Sequence, residues 1–199
     1  GINYHRTGIS HGTVTATIDD KKFEITSLRK DLITDGRHAK VQFSGDWKED
    51  ALRRDFTINS IYADKEGNLF DPFNGKTDLE NGQIKFIGEP EKRIEEDYLR
   101  ILRYIRFFLN YSQEKHNPKI IRIIKKNLQG VLNLSSERLL IELKKLVQSG
   151  GFLRLYKDKE CLEIIKLIFP QLKNLNIFYN LNKYAESEFF KVDFIFLIS

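Results

Sequence analysis

The chain has 199 residues, 41% hydrophobic and 12% aromatic, which excludes a disordered polymer and leaves room for one or two packed domains. A single cysteine, Cys161, excludes an internal disulfide and suits a reducing compartment such as the cytoplasm. No apolar run approaches the roughly 20 residues of a membrane span, so no membrane contact is expected, and the net charge of +5 is modest. That charge is unevenly spread: residues 1–90 carry 13 Lys and Arg against 15 Asp and Glu, whereas residues 91–150 carry 13 against 7. A basic middle is the footprint of an anionic partner and equally of a solvated lysine-rich surface.

The front of the chain reads as strands and turns. Thr13 to Ile18 is β-branched and Phe23 to Leu28 alternates, with the polar turn Asp19-Asp20-Lys21-Lys22 between them, which predicts a hairpin. Asp35-Gly36-Arg37-His38-Ala39 reads as a loop. A short helix is expected from Trp47 to Arg54, capped by Asp46. Ile58 to Asp64 and Asn68 to Phe70 read as a second hairpin, and Asn81-Gly82 as a tight turn leading into Gln83 to Ile87.

From Glu89-Pro90 the period becomes helical. Ile94, Tyr98, Ile101, Leu102, Ile105, Phe108 and Leu109 fall on one apolar stripe, predicting a single helix. Further helices are expected over Pro118 to Gln129, Ser136 to Gln148, Phe152 to Tyr156, Cys161 to Ile168 and from Lys183 onward. The apolar segment from Phe189 to Ser199 calls for a covering surface. The fold class is therefore α+β.

Three polar clusters carry the chemistry. In Glu96-Asp97-Tyr98-Leu99-Arg100, a carboxylate and a guanidinium at i and i+3 can accept and donate in one plane, as reading the edge of a cytosine or adenine requires. An ordinary surface ion pair has the same spacing. In Arg53-Arg54-Asp55, two guanidiniums can hold a triphosphate while Asp55 accepts from a ribose hydroxyl; the same residues can simply close a helix. Asn59 can bond a base, a ribose or local backbone. Glu24 sits mid-strand, and Arg103 and Arg106 flank the Asp97–Arg100 cluster within reach of phosphates or solvent.

These clusters resemble, in order and spacing, the motifs of the class II CCA-adding tRNA nucleotidyltransferases and the related bacterial poly(A) polymerases. Arg53-Arg54-Asp55-Phe56-Thr57-Ile58-Asn59-Ser60, Asp71-Pro72-Phe73-Asn74-Gly75, Glu96 to Arg100 and Ser135-Ser136-Glu137-Arg138 carry the resemblance. It implies template-independent transfer of CMP and AMP from CTP and ATP to the 3′ end of tRNA, with Asp97 and Arg100 selecting the base. It further implies that Arg54, Asp55, Asn59 and Arg103 bind the nucleotide, and that Glu24 is one of the carboxylates that hold Mg²⁺. The remaining metal carboxylates, an Asp-x-Asp after a Gly-Ser step, are not in this chain, which also has no methionine. The expectation is a head (1–88) lacking its N-terminal part, a helical neck (89–150) that reads the base, and the start of a helical, RNA-binding body (151–199). A poly(A) polymerase, an enzyme adding only part of CCA, an inactive nucleotide- or RNA-binding remnant, and a subunit completed by a separate head polypeptide are the competing expectations.

Overall fold

The computed structural model describes residues 3–8, 12–34 and 39–172. Strands β1 (Asn3–Gly8), β2 (Thr13–Ile18) and β3 (Lys21–Thr26) form one antiparallel sheet, and β4 (Arg29–Thr34) pairs with β5 (Ala39–Phe43). Helix α1 (Trp47–Leu52) follows, then a 3₁₀ turn at Thr57–Asn59 and the short hairpin β6 (Tyr62–Ala63) with β7 (Leu69–Phe70). The rest is helical: α2 (Gly75–Glu80), α3 (Pro90–Glu96), α4 (Leu99–Tyr111), α5 (Pro118–Val131), α6 (Ser136–Val147), a 3₁₀ segment at Gly150–Arg154, and α7 (Lys159–Ile168). The architecture is α+β, as the sequence pattern predicts. Of the loop expected over 35–39, residues 35–38 lie outside the described residues, as does the segment from Lys183 onward, whereas Ala39 already opens β5.

The β2–β3 hairpin turns at Asp19 and Asp20, both left-handed with φ of 49° and 61°. Consecutive positive φ angles match the right-handed twist of the strands, and Asp tolerates them through its short polar side chain. Asp46 caps α1 as expected, its carboxylate accepting the Lys48 N–H at 2.7 Å. Gln83 to Ile87 does not form a strand; only Phe86 bridges back, to Phe56.

The core lies in the helices, not in the sheets. Among the strand residues whose side chains are described, Ala16 alone is buried, while Phe23 and Ile25 on β3 are 47% and 57% exposed. The alternation that predicts a buried strand face is present, but no described element covers it. The buried cluster runs instead from Phe56 and Phe86 through Ile101, Tyr104 and Ile105 to Ile124, Leu146 and Ile164. Phe86 stacks on Tyr104 at 5.9 Å between centroids, and Phe56 lies 4.7 Å from Phe86, so the RRDFTIN segment is anchored directly on α4.

The single helix expected from Glu89 to Leu109 is two. Asp97 is extended (φ −153°, ψ 102°) and ends α3; its carboxylate accepts the Leu99 N–H at 3.1 Å and so opens α4. Asp97 and Arg100 therefore do not share one helix face. The apolar period hides the break because Tyr98 is already back in helical geometry (φ −61°, ψ −17°) and one extended residue scarcely shifts the stripe.

Candidate functional site

Asp50, on the buried face of α1, organises the first cluster. Its Oδ1 accepts Arg53 Nε at 2.9 Å, Arg53 Nη2 at 2.7 Å and the Arg29 N–H at 3.1 Å. Its Oδ2 accepts Arg54 Nε at 3.2 Å, Arg54 Nη2 at 2.9 Å and the Tyr62 O–H at 2.8 Å. Burial alone would raise the Asp50 carboxyl, but these donors outweigh it and hold the pKa at about 2. Burial and the neighbouring Asp50 push the Tyr62 phenol up to about 12, so it stays a donor. Both guanidiniums are thus gripped through Nε and Nη2, and the two Nη1 atoms have no partner among the described residues. Sequence reasoning missed Asp50, although its i, i+3 and i, i+4 spacing to Arg53 and Arg54 was visible.

The second cluster joins segments far apart in sequence. Arg100 Nε donates to Asp55 Oδ1 at 2.6 Å, and Arg103 Nη1 donates to Asp55 Oδ2. Burial favours the neutral form of Asp55, yet the charges of Arg103 and Arg100 prevail and hold its carboxyl below the usual range. Arg100 Nη1 donates to Glu96 Oε2 at 2.7 Å and to the Arg93 carbonyl at 2.5 Å. Arg93 in turn reaches the Arg54 carbonyl at 2.7 Å, tying α3 to the end of α1. Glu142 on α6 is buried and accepts Arg106 Nε at 3.1 Å, with Arg103 Nε at 3.6 Å. In this arrangement Nη2 of Arg100 and of Arg103 has no partner among the described residues.

Asp97 pairs not with Arg100 but with Arg138 on α6, whose Nη2 lies 3.0 and 2.9 Å from its two carboxylate oxygens. Helix α6 thus holds the Asp97 turn through Arg138, and holds Arg103 and Arg106 of α4 through Glu142. The Ser135 side chain makes no capping bond. Asn59 resolves to local backbone: its Oδ1 accepts the Phe56 N–H at 3.1 Å, closing the 3₁₀ turn. Asp71 caps α2 through the Gly75 and Lys76 N–H groups at 2.7 and 2.8 Å. Buried Asp78 binds the Thr57 hydroxyl at 2.7 Å and Lys85 at 2.5 Å, so the Asp71 to Asp78 segment locks the RRDFTIN segment in place.

Glu24 stands apart from all of this. It lies on exposed β3, opposite Thr15 on β2, and among the described residues it belongs to no group of three ligating side chains. Mg²⁺ asks for an array of oxygen ligands. The described residues do not by themselves fit that ion.

Residues 1–85 match the family described as the Poly A polymerase head domain. The chain is similar to human mitochondrial CCA tRNA nucleotidyltransferase 1, with 49% identity over 142 residues, covering 70% of this chain and 33% of that protein. It is similar to the CCA-adding enzyme of Staphylococcus haemolyticus, with 37% identity over 153 residues, covering 75% of this chain and 38% of the relative. It therefore spans about a third of the length of these curated relatives. Among solved structures, the Bacillus stearothermophilus CCA-adding enzyme in complex with CTP matches with a TM-score of 0.70 and 28% identity, over 89% of this chain and 44% of that one. The Thermotoga maritima enzyme complexed with tRNA shares the fold, with a TM-score of 0.63 and 23% identity over 94% of this chain and 44% of that one.

Proposed function

We propose that this chain, which belongs to the family of CCA-adding tRNA nucleotidyltransferases and poly(A) polymerases, carries the nucleotide-selecting part of an enzyme that adds C and A residues to the 3′ end of tRNA from CTP and ATP. The observation that carries this reading is the joining of Asp55 to Arg100 and Arg103, which brings the RRDFTIN segment and the EDYLR segment into one charge network. Arg53 and Arg54 present their outward N–H groups to the triphosphate. Arg100 offers Nη2 and Asp97 its carboxylate to the edge of the base. Asp55 aims Arg100 and Arg103, and Arg138 orients Asp97. The Asn59 side-chain N–H₂ stays available for ribose or base, its oxygen being held by backbone.

On this reading, residues 1–88 belong to the head, 89–150 to the base-reading neck and 151–199 to the body. Glu24 and Mg²⁺ enter only as the family's metal site, which further carboxylates supply in the same or a separate head polypeptide. The partners are CTP, ATP and the tRNA 3′ end. Among the described residues no helix is long and apolar enough to cross a membrane. The compartment proposed is the cytoplasm; the human relative is named mitochondrial, and microscopy of the tagged protein separates the two.

The test is incorporation of labelled CTP and ATP, with Mg²⁺, into a tRNA lacking its 3′ end and into an unrelated RNA. C followed by A on the tRNA alone supports CCA addition. A-only extension of either RNA makes the protein a poly(A) polymerase. Nucleotide binding without incorporation makes this chain the selecting part of an enzyme whose metal site lies elsewhere.

A further inference from the structure

Away from the nucleotide network, three side chains of different chemistry converge where the α4–α5 loop meets α7. His116 precedes α5, Asp158 caps α7, and Cys161 lies in the first turn of α7; Nε2 of His116, a carboxylate oxygen of Asp158 and Sγ of Cys161 all lie within 4.8 Å of one another. His116 Nε2 is 2.9 Å from Asp158 Oδ2 and 3.5 Å from Cys161 Sγ. Tetrahedral zinc, with bonds of about 2.0 Å to nitrogen and about 2.3 Å to sulfur, places such ligand atoms about 3.5 Å apart. We propose that His116, Asp158 and Cys161 form a site for a zinc-class divalent cation that clamps α7 to α4 and α5.

The outer ends of the ligands are already held, as in built metal sites. His116 Nδ1 lies 3.2 Å from the Tyr104 hydroxyl, and its ring stacks on Phe108 with centroids 3.6 Å apart. Because that hydroxyl can either donate or accept, it satisfies Nδ1 in both tautomers. Nε2 can therefore give up its proton and turn its lone pair to a metal without leaving Nδ1 unpaired. Asp158 Oδ1 accepts the Cys161 N–H at 3.0 Å, which leaves Oδ2 as the ligating oxygen. The proton balance is simple: the thiol loses its proton to solvent, imidazole stays neutral, and the carboxylate is already ionised.

The set selects against the magnesium of nucleotidyl transfer. One soft thiolate and one imidazole with a single carboxylate suit Zn²⁺ or Co²⁺, whereas Mg²⁺ requires oxygen ligands. Without metal, burial and the adjacent Asp158 push the Cys161 thiol up, so it stays protonated and unreactive. A dication beside the sulfur reverses both influences. Three protein ligands leave one tetrahedral position for water.

The chain has a single cysteine, so a thiolate-to-metal charge-transfer band reports this site and no other. The experiment titrates the protein with Co²⁺ in excess Mg²⁺ and follows the near-ultraviolet band, then displaces Co²⁺ with Zn²⁺ and follows thermal unfolding. We expect the band to saturate at one equivalent and Zn²⁺ to raise the unfolding midpoint. His116→Ala and Asp158→Asn should abolish or strongly weaken the band. Tyr104→Phe, which removes only the outer hydrogen bond, should weaken Co²⁺ binding about 10–100-fold while circular dichroism stays unchanged. Absence of the band in the folded wild-type protein overturns the site. So does a band of full strength in His116→Ala.

Discussion

Arg100 donates to Asp55 at 2.6 Å across 45 residues of sequence, and both side chains are nearly excluded from water. The pair is the hinge pin of this charge network, because Asp55 also takes Arg103 and Arg100 also takes Glu96 and the Arg93 carbonyl. A carboxylate at that depth is stable only because two guanidiniums meet it, and each guanidinium is aimed by the carboxylate in return.

Replacing Asp55 by Ala strands two arginines in a site built around one anion. Removing one partner of a buried pair costs on the order of 3–5 kcal/mol. Urea unfolding should register a lower midpoint with an unchanged slope. A loss below about 1 kcal/mol would mean that Arg100 and Arg103 find other partners.

Asp50 predicts how stability depends on acid. Its carboxyl is depressed to about 2 in the folded chain, whereas an unfolded Asp titrates near 3.9. The stabilisation is therefore present above about pH 4 and is lost as pH falls toward 2, amounting to about 2–3 kcal/mol. Stability of the wild type and of Asp50→Asn, measured by denaturant titration from pH 6 down to pH 2, should converge across that window. A constant difference would remove Asp50 from the role of hub.

Arg138 should matter for nucleotide choice more than for folding. Its contact with Asp97 is partly exposed, with side chains 22% and 14% accessible, so Arg138→Ala is expected to cost only about 1 kcal/mol of stability. Freed from Arg138, the Asp97 carboxylate loses its orientation toward a base, and CTP affinity should fall at least about tenfold. Calorimetric titration with CTP gives the answer; unchanged affinity would show that Asp97 needs no brace.

Gly130 on α5 packs against the Tyr98 ring, and a methyl group at that position would run into the ring atoms. Gly130→Ala should displace Tyr98, the residue beside Asp97, and destabilise the chain by about 1–3 kcal/mol. The double variant Gly130→Ala, Tyr98→Ala should recover part of that loss. If the single variant unfolds at the wild-type midpoint, α5 adjusts freely and does not constrain the Asp97 turn.

Much of the site is legible in the sequence because its motifs are local. The adjacent arginines at 53 and 54, the Asp71-Pro72 turn and the amphipathic α5 and α6 all follow from spacing within a dozen residues. The Asp50 grip was equally legible, since i, i+3 and i, i+4 spacing puts it beside both arginines. The Asp55–Arg100 and Asp97–Arg138 pairs were not, because nothing local distinguishes an arginine that turns inward 45 residues away from one that stays in solvent. The break at Asp97 was concealed by the apolar stripe, which resumes in register at Ile101. On β3, the alternation of Phe23 and Ile25 reads as half-buried, whereas the described elements leave both exposed.

The most direct test of the account is equilibrium binding of CTP, ATP, GTP and UTP to the wild-type chain and to Asp97→Ala. The account predicts that the wild type prefers CTP and ATP and that Asp97→Ala binds all four alike, retaining the triphosphate grip of Arg53 and Arg54. Equal binding of the four nucleotides by the wild type, or an undiminished preference in Asp97→Ala, would contradict it.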